Sequence, residues 1–303
     1  MKQEKIKKLN NHKMTVEIKK MKLFLLCGSL SIGVVLLNST SFAETSTKNN
    51  QAQKVVTISA LKALTAEEIS IKSYNTSKVS DSVSDSIFRL INASGQERVR
   101  ETTGETKLIP DTQDNMRVVT FKSPSDVKGI KNLLIEHSKK EDDMWIYLPA
   151  MKKVRRLQAS NKRDSFVGTD FSYGDVIGHR PEDWLHKLIK EEKIDNKDCY
   201  ILESIPKNNE IAEASGYSKR VAWIEKESFV AVKVEMYDLS SQLLKKLSAQ
   251  KIEKVDEKNN KWQPMILSAE NVQTNHKTIL EFKNFKANVG VSDDKFTTRF
   301  LEK

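Results

Sequence analysis

Few things restrict this chain's fold more than the period-2 patterning that fills it from Ser86 to Phe285. SIFRLINASGQERVRE reads as two strands joined across Asn92–Gly95, where Asn and Gly tolerate the backbone angles that a hairpin needs. MRVVTFKSP follows and stops at a Ser-Pro break, then NLLIEHS, then DMWIYLP, which turns at Pro149 and Ala150 into MKKVRRLQ. Later come CYILESIP, SKRVAWIEKESFVAVKVEMYD with a turn near Glu225 to Ser228, SQLLKKLSAQKIEKV, WQPMILSAENV and HKTILEFKNF. Strands this close in sequence pair antiparallel. No strand–helix–strand units recur, which disfavours a doubly wound parallel sheet. The expected fold is mainly β (α+β): about a dozen strands in a single curved antiparallel sheet, with a few helices laid against one face.

Helices are few. Thr65 and Glu68 have capping-box spacing, and Leu61, Leu64, Ile69 and Tyr74 give the helix after them an apolar side. A serine-rich break, Ser77 to Ser86, separates it from the first strand. Pro181 suits a first helical position, and Trp184, Leu185, Leu188 and Ile189 would line one side of a short helix. DDKFTTRFLEK reads as a short closing helix.

The first residues stand apart. A lysine-rich start precedes an uncharged run, Leu23 to Leu37, and the small-residue site Ser41-Phe42-Ala43. That order predicts a secretory leader over 1–43, cleaved after Ala43, a polar spacer over 44–54 and the folded domain over 55–303. A membrane span wants about 20 apolar residues, so a permanent anchor is disfavoured, as is lipid modification of Cys27 inside the apolar run. Translation from Met21 or Met14 would give a leader of ordinary length. The chain is therefore expected to be exported.

Charge and cysteine agree with export. Eight Lys and two Glu fall within 1–43, so only +4 of the net +10 belongs to the remainder, spread among alternating acids and bases. A nucleic-acid footprint should be clustered and strongly basic; no nucleic-acid partner is expected. Beyond the leader only Cys199 remains, in an apolar alternation that predicts a buried thiol. One basic cluster stands out, Lys152, Lys153, Arg155 and Arg156. In a strand it divides between two faces, leaving a solvated edge or an anionic headgroup as its partner.

Catalytic patterns are missing. The chain has no GxSxG, HExxH, GxGxxG or GxxxxGK[ST] motif. His137, His179, His186 and His276 lie far apart in sequence, with no Cys or carboxylate at ligand spacing. An enzyme is therefore not expected, and neither a cofactor nor a metal is called for.

RDSFVGTDFSYGDV, residues 163–176, carries three aromatics, two glycines and three aspartates in a segment that suits neither helix nor strand. It ends the longer stretch WIYLPAMKKVRRLQASNKRDSFVGTDFSYGDV, which resembles the signature of the outer-membrane lipoprotein-sorting family, the LolA-like carriers. The residues that carry this are Trp145, Tyr147, Leu148 and Pro149, then Lys153, Arg155 and Arg156, then Phe166, Gly168, Asp170, Phe171, Ser172, Tyr173 and Asp175. SPSDVKG (Ser123 to Gly129), Ala222 to Asp238 and the closing FTTRFLEK add to it.

The resemblance implies a half-open β-barrel, LolA/LolB-like, whose helices cover a concave face around an apolar cavity. It implies a periplasmic carrier that receives lipoprotein acyl chains or other lipid from an inner-membrane transporter of ABC or RND type and delivers them to an outer-membrane acceptor, acting as a monomer. An accessory subunit docked on an RND-type exporter is the alternative, and a hydrolase assembled only by the fold a third reading. Candidate cavity residues are Phe88, Leu90, Trp145, Tyr147, Trp223, Phe229, Val232 and Phe282. Phe166, Gly168, Asp170, Phe171 and Tyr173 would form a movable lid, or their rings a static plug; Lys153, Arg155 and Arg156 would meet headgroups.

Overall fold

In the computed structural model, residues 63–303 are described. The leader, the spacer, Leu61 and the first residues of the expected domain lie outside them. The chain enters through α1 (Ala66–Asn75), whose N-cap Thr65 and Glu68 form the expected capping box. Two meanders follow. The first comprises β1 (Asp81–Ile91), β2 (Glu97–Leu108), β3 (Asn115–Ser123), β4 (Lys131–Ile135), β5 (Asp143–Leu148) and β6 (Lys153–Leu157). After α2 (Tyr173–Ile177), the second runs through β7 (Trp184–Ile194), β8 (Lys197–Pro206), α3 (Asn209–Ser215), β9 (Lys219–Glu225) and β10 (Ala231–Tyr237). It continues as β11 (Leu243–Asp256), β12 (Lys261–Asn271) and β13 (His276–Ala287), and α4 (Thr298–Leu301) follows it.

The 13 strands of the described residues form one sheet, ordered β6-β5-β4-β3-β2-β1-β13-β12-β11-β10-β9-β8-β7. Every adjacent pair is antiparallel. The expected curved, unclosed antiparallel sheet is the fold found. Register shifts interrupt several ladders, for example between Val83 and Asp85 and between Ala231 and Lys233. Such bulges bend strands and add twist.

Residues opposite one another across a ladder share a face, so the register sorts the side chains. Leu188, Leu202, Ala222, Val234, Leu247, Ala269, Thr278 and Leu90 form one continuous inner row. Beneath α1 this face buries Ile69 with Trp184, Leu202, Ile224 and Met236. Toward the other edge it buries Phe88, Leu90, Phe121, Leu134 and Met144. The outer face has its own cluster, in which Val118 and Leu133 pack with Phe296 and Leu301 from the C-terminal segment.

Two local expectations fail. Trp184–Ile189 is strand, not helix: Pro181 opens only a 3-10 turn, and burial then alternates along β7, with Trp184 buried and Leu185 and Ile189 exposed. The apolar residues that imitate a helical stripe are divided between two faces of an edge strand. The serine-rich break is also shorter than expected, because β1 begins at Asp81 and buries Ser82 and Ser86. Polar residues on both faces hide the strand period there. α3 was not anticipated; Asn208 caps its start and Gly216, at φ +77°, ends it in the left-handed conformation that glycine adopts without strain.

Candidate functional site: a crossover strap and its cavity

The strand order imposes one long connection. β6 and β7 are consecutive in sequence yet lie at opposite edges of the sheet, so residues 158–183 must travel from one edge to the other. The aromatic stretch is this crossover. It runs along the inner face, where Phe166, Tyr173 and Ile177 join the cluster of Phe88, Phe121 and Met144. Its regular structure is limited to α2 and short 3-10 turns, and long connections of this kind often carry function.

One side of it is an apolar plug, built from Phe166 and, within α2, Tyr173 and Ile177. The Phe166 amide donates to the Phe171 carbonyl at 2.8 Å, and Ser165 bridges to Ser172, which closes a tight turn. Within that turn Val167 (φ +49°) and Gly168 (φ +74°) are both left-handed. Glycine does this freely, but a β-branched residue is strained there. The Arg100 guanidinium, donating to the Val167 carbonyl, helps to hold the conformation. The turn drives Phe166 into the sheet, 6.2 Å from Phe121 and 5.2 Å edge-on from Tyr173. The Tyr173 hydroxyl donates to Asn132 Oδ1 at 3.1 Å. Burial, with the Asp164 charge, pushes its pKa up to about 12.

The other half is polar. Ser172 caps α2 and exchanges hydrogen bonds with Asp175 in a capping box. The Asp175 carboxylate then meets Lys245 Nζ from β11 at 2.7 Å, the Tyr217 hydroxyl at 3.1 Å and His179 Nε2 at 3.2 Å. Burial alone would raise the Asp175 pKa, yet Lys245 and His179 hold it well below the carboxylate range. Burial likewise acts to lower Lys245, but Asp175 and Tyr217 raise it above the ordinary ammonium value. Tyr217 is pushed up to about 12 by burial and by Asp175. His179 is lowered to about 4 by burial, aided by Arg220, and stays neutral at pH 7.

Further polar ties run along the crossover. The Asp170 amide donates to Thr278 Oγ1 at 3.0 Å, and its carboxylate accepts from that hydroxyl at 2.6 Å and meets His276 Nδ1 at 2.9 Å. Arg117 donates to the Val176 carbonyl. Asp142 holds Lys162 at 2.5 Å and Arg180 at 2.9 Å.

Between this polar half and the ends of β10 to β13 lies a cavity of about 740 Å³. That is within the range of small-molecule sites. Its wall includes Arg163, Gly168, Asp170, Phe171, Tyr217, Asp238, Leu244, Lys245, Asn271 and His276. Lys245 has three donors; Asp175 and Tyr217 take two. Among the described residues no group of three or more His, Cys, Asp or Glu could hold a metal ion.

The eight expected cavity residues do not converge. Phe88 and Leu90 lie on the inner face, buried beneath the crossover. Phe282 shares that face opposite Ser86, edge-on to Phe285. Trp145 and Tyr147 belong to the outer cluster, and Trp223 is on the outer face under Lys233, whose Nζ is 4.1 Å from its ring centroid. Phe229 stacks on Tyr200 at 6.4 Å, and Val232 falls in the β10 bulge. None lines the 740 Å³ cavity. Strands apolar on both faces gave no way to assign the side.

Of the lid candidates, Gly168, Asp170 and Phe171 line the cavity, while Phe166 and Tyr173 are core. In this structure the rings plug the inner face. Lys153 and Arg155 are exposed on edge strand β6, whereas Arg156 binds Asp143 at 2.6 Å. The sequence singled out Asp175 only within the family signature, and Lys245 not at all. The available signal was LLKKL, where alternation must turn one of two lysines toward the core.

Comparison with known proteins supports this architecture. Residues 113–303 match the model of a family described as "Uncharacterized protein". A DUF1329 family protein from Desulfovibrio piger is 28% identical with a TM-score of 0.72, covering 78% of this chain and 97% of its own. A putative outer membrane lipoprotein-sorting protein domain from Vibrio parahaemolyticus gives the same identity and TM-score, over 78% and 98%. A LolA superfamily protein from Nitrosomonas europaea, 21% identical, shares the fold with a TM-score of 0.60 over 78% and 100%. No curated protein matches the chain.

Proposed function

Because the chain belongs to the family whose model spans residues 113–303, and its neighbours are lipoprotein-sorting-domain and LolA-superfamily proteins, we propose that it is a periplasmic carrier of lipoprotein acyl chains or other lipid. One observation carries the reading. A single crossover spans the inner face of an open sheet, with aromatic rings over an apolar floor on one side and, on the other, a cavity of mixed lining that includes Asp170, Lys245 and His276.

An acyl chain would take the floor now filled by Phe166 and Tyr173, and the polar part of the same molecule the 740 Å³ cavity. Burying a ring side chain is worth about 1.5–3 kcal/mol, and a methylene about 0.8. Displacing two rings would therefore cost up to about 6 kcal/mol, which roughly eight buried methylenes offset. Fatty tails are longer than that. Exchange of rings for hydrocarbon is thus near balance, as a carrier that must also release its cargo requires. Direction would come from an inner-membrane transporter of ABC or RND type and an outer-membrane acceptor, with no covalent chemistry on the carrier.

Native mass spectrometry of the protein purified from its own cell envelope tests this. A retained mass of one lipid, lost on mild organic extraction and restored by adding a diacyl phospholipid, is the expected result. A protein that arrives empty and takes up no diacyl lipid overturns the reading.

A further inference from the structure

The two edges of the sheet are charged in different ways. At β7 each glutamate is matched: Lys190 meets Glu192 at 2.6 Å and Lys226 of the neighbouring turn meets Glu191 at 2.5 Å. At β6 the run Lys152 to Leu157 holds four cations and no acid. Arg156 alone is neutralised, by Asp143. Lys152, Lys153 and Arg155 are exposed, with no ion pair among the described residues.

Charge on an edge strand guards against unwanted strand pairing, and the paired charges of β7 meet that need as well. Guarding does not account for the tip of the β5–β6 hairpin. There Pro149, Ala150 and Met151 make a 3-10 turn and Lys152 takes a left-handed φ of +50°, leaving Met151 43% exposed beside the unpaired cations. The turn is anchored where it leaves β5, since Pro149 packs against Gly129. An apolar side chain at the apex of a fixed hairpin, ringed by uncompensated positive charge, matches a bilayer whose surface is anionic and whose interior is apolar.

We propose that the β5–β6 hairpin is a membrane-docking element, with Met151 entering the interface of an anionic bilayer and Lys152, Lys153 and Arg155 meeting its headgroups. This deepens the carrier reading by naming the surface at which loading or release occurs. Arg156 is excluded from the contact because Asp143 already holds it.

The test is co-sedimentation of the full chain with phosphatidylcholine vesicles, with and without phosphatidylglycerol. The protein should bind only the anionic vesicles, and less so at high salt. Changing Lys152, Lys153 and Arg155 to Ser together should lower partitioning roughly 100-fold. Met151→Asp should weaken it further, and Arg156→Ser should weaken it least. All of these positions are exposed, and unchanged melting temperatures would verify intact folding. Equal binding to both vesicle types, no binding to either, or unchanged partitioning of the triple variant overturns docking; an acidic protein partner would give the second of these results. The lipid retained in native mass spectrometry should be the same in the triple variant and the parent, so a failure of docking and a failure of cargo binding are read separately.

Discussion

The two halves of the crossover are held to the same sheet by different forces. Around Phe166 the contact is dry: ring against ring, with the Phe166 side chain 1% exposed and Phe121 fully buried beneath it. Around Asp175 it is polar: a carboxylate shared by Lys245, Tyr217 and His179, beside an open cavity. Apolar contact is non-directional, and a hydrocarbon chain can replace a ring with little change in free energy. A buried ion pair is directional, and a hydrocarbon chain cannot take the place of one partner without leaving the other charge unpaired. The difference assigns a role to each half. The ring half can exchange with cargo while the ionic half keeps the strap in place.

The comparison breaks most readily at its strongest points. Lys245→Ala leaves the Asp175 charge buried without its main partner and should cost about 3–5 kcal/mol by denaturant unfolding. Pairing Lys245→Met with Asp175→Asn should recover most of that loss, because a neutral, filled site is no worse than a paired one. Phe166→Ala should cost a similar 3–5 kcal/mol, made up of transfer plus the cavity left behind. Here added diacyl lipid should restore stability by filling the void, and at Lys245→Ala it should not. Lipid rescue of both variants, or of neither, would erase the distinction between the halves.

Acid acts on the ionic half and leaves the ring half untouched. His179 is neutral in the fold, with a pKa lowered to about 4 by burial and then by Arg220, against 6.5 when unfolded. Below pH 6.5 the unfolded chain binds a proton that the folded chain refuses, so the stability present above 6.5 drains away as pH falls toward 4. The slope is about 1.4 kcal/mol per unit, or about 2 kcal/mol between pH 7 and pH 5. Asp175, depressed instead below the carboxylate range, adds its loss only under about pH 4. His186 is also lowered, chiefly by burial, and acts in the same direction. The measurement is therefore the difference between the parent and His179→Phe, which keeps a ring against Trp184 and Tyr217. The variant should lose clearly less stability over this interval.

What could be read from the residues follows from how local each signal is. The Thr65 capping box, the Asn92–Gly95 turn and the hairpin between β9 and β10 depend on neighbours a few positions apart, and each is where the pattern placed it. β7 was misread because Trp184, Leu185, Leu188 and Ile189 satisfy a helical stripe as well as a strand apolar on both faces; only its position at the sheet edge decides. The division of Phe88 from Trp145 has the same origin. Their strands carry apolar residues on both sides, and the inner side is set by where the crossover lies. The meeting of Asp175 with Lys245, 70 positions apart, depends on the strand order itself. The family resemblance could supply the fold, but not the face that each ring takes within it.

Phe171 lies where the two halves meet, which makes it the finest test of the division. It is 6% exposed, nearly as buried as Phe166, and a count of buried rings would treat the two alike. Phe171, however, borders the 740 Å³ cavity, so its removal enlarges a space that water already reaches and leaves no sealed void. The cavity penalty of a core truncation is then absent, and only the transfer cost remains, about 1.5 kcal/mol for a ring with one side at an open wall. Phe171→Ala should therefore destabilise less than half as much as Phe166→Ala by denaturant midpoint. It should nevertheless lower lipid retention in native mass spectrometry, because the ring sits where the hydrocarbon floor gives way to the cavity. Equal destabilisation by the two truncations would mean that the cavity wall is as rigid as the plug. The crossover would then be one static element from end to end.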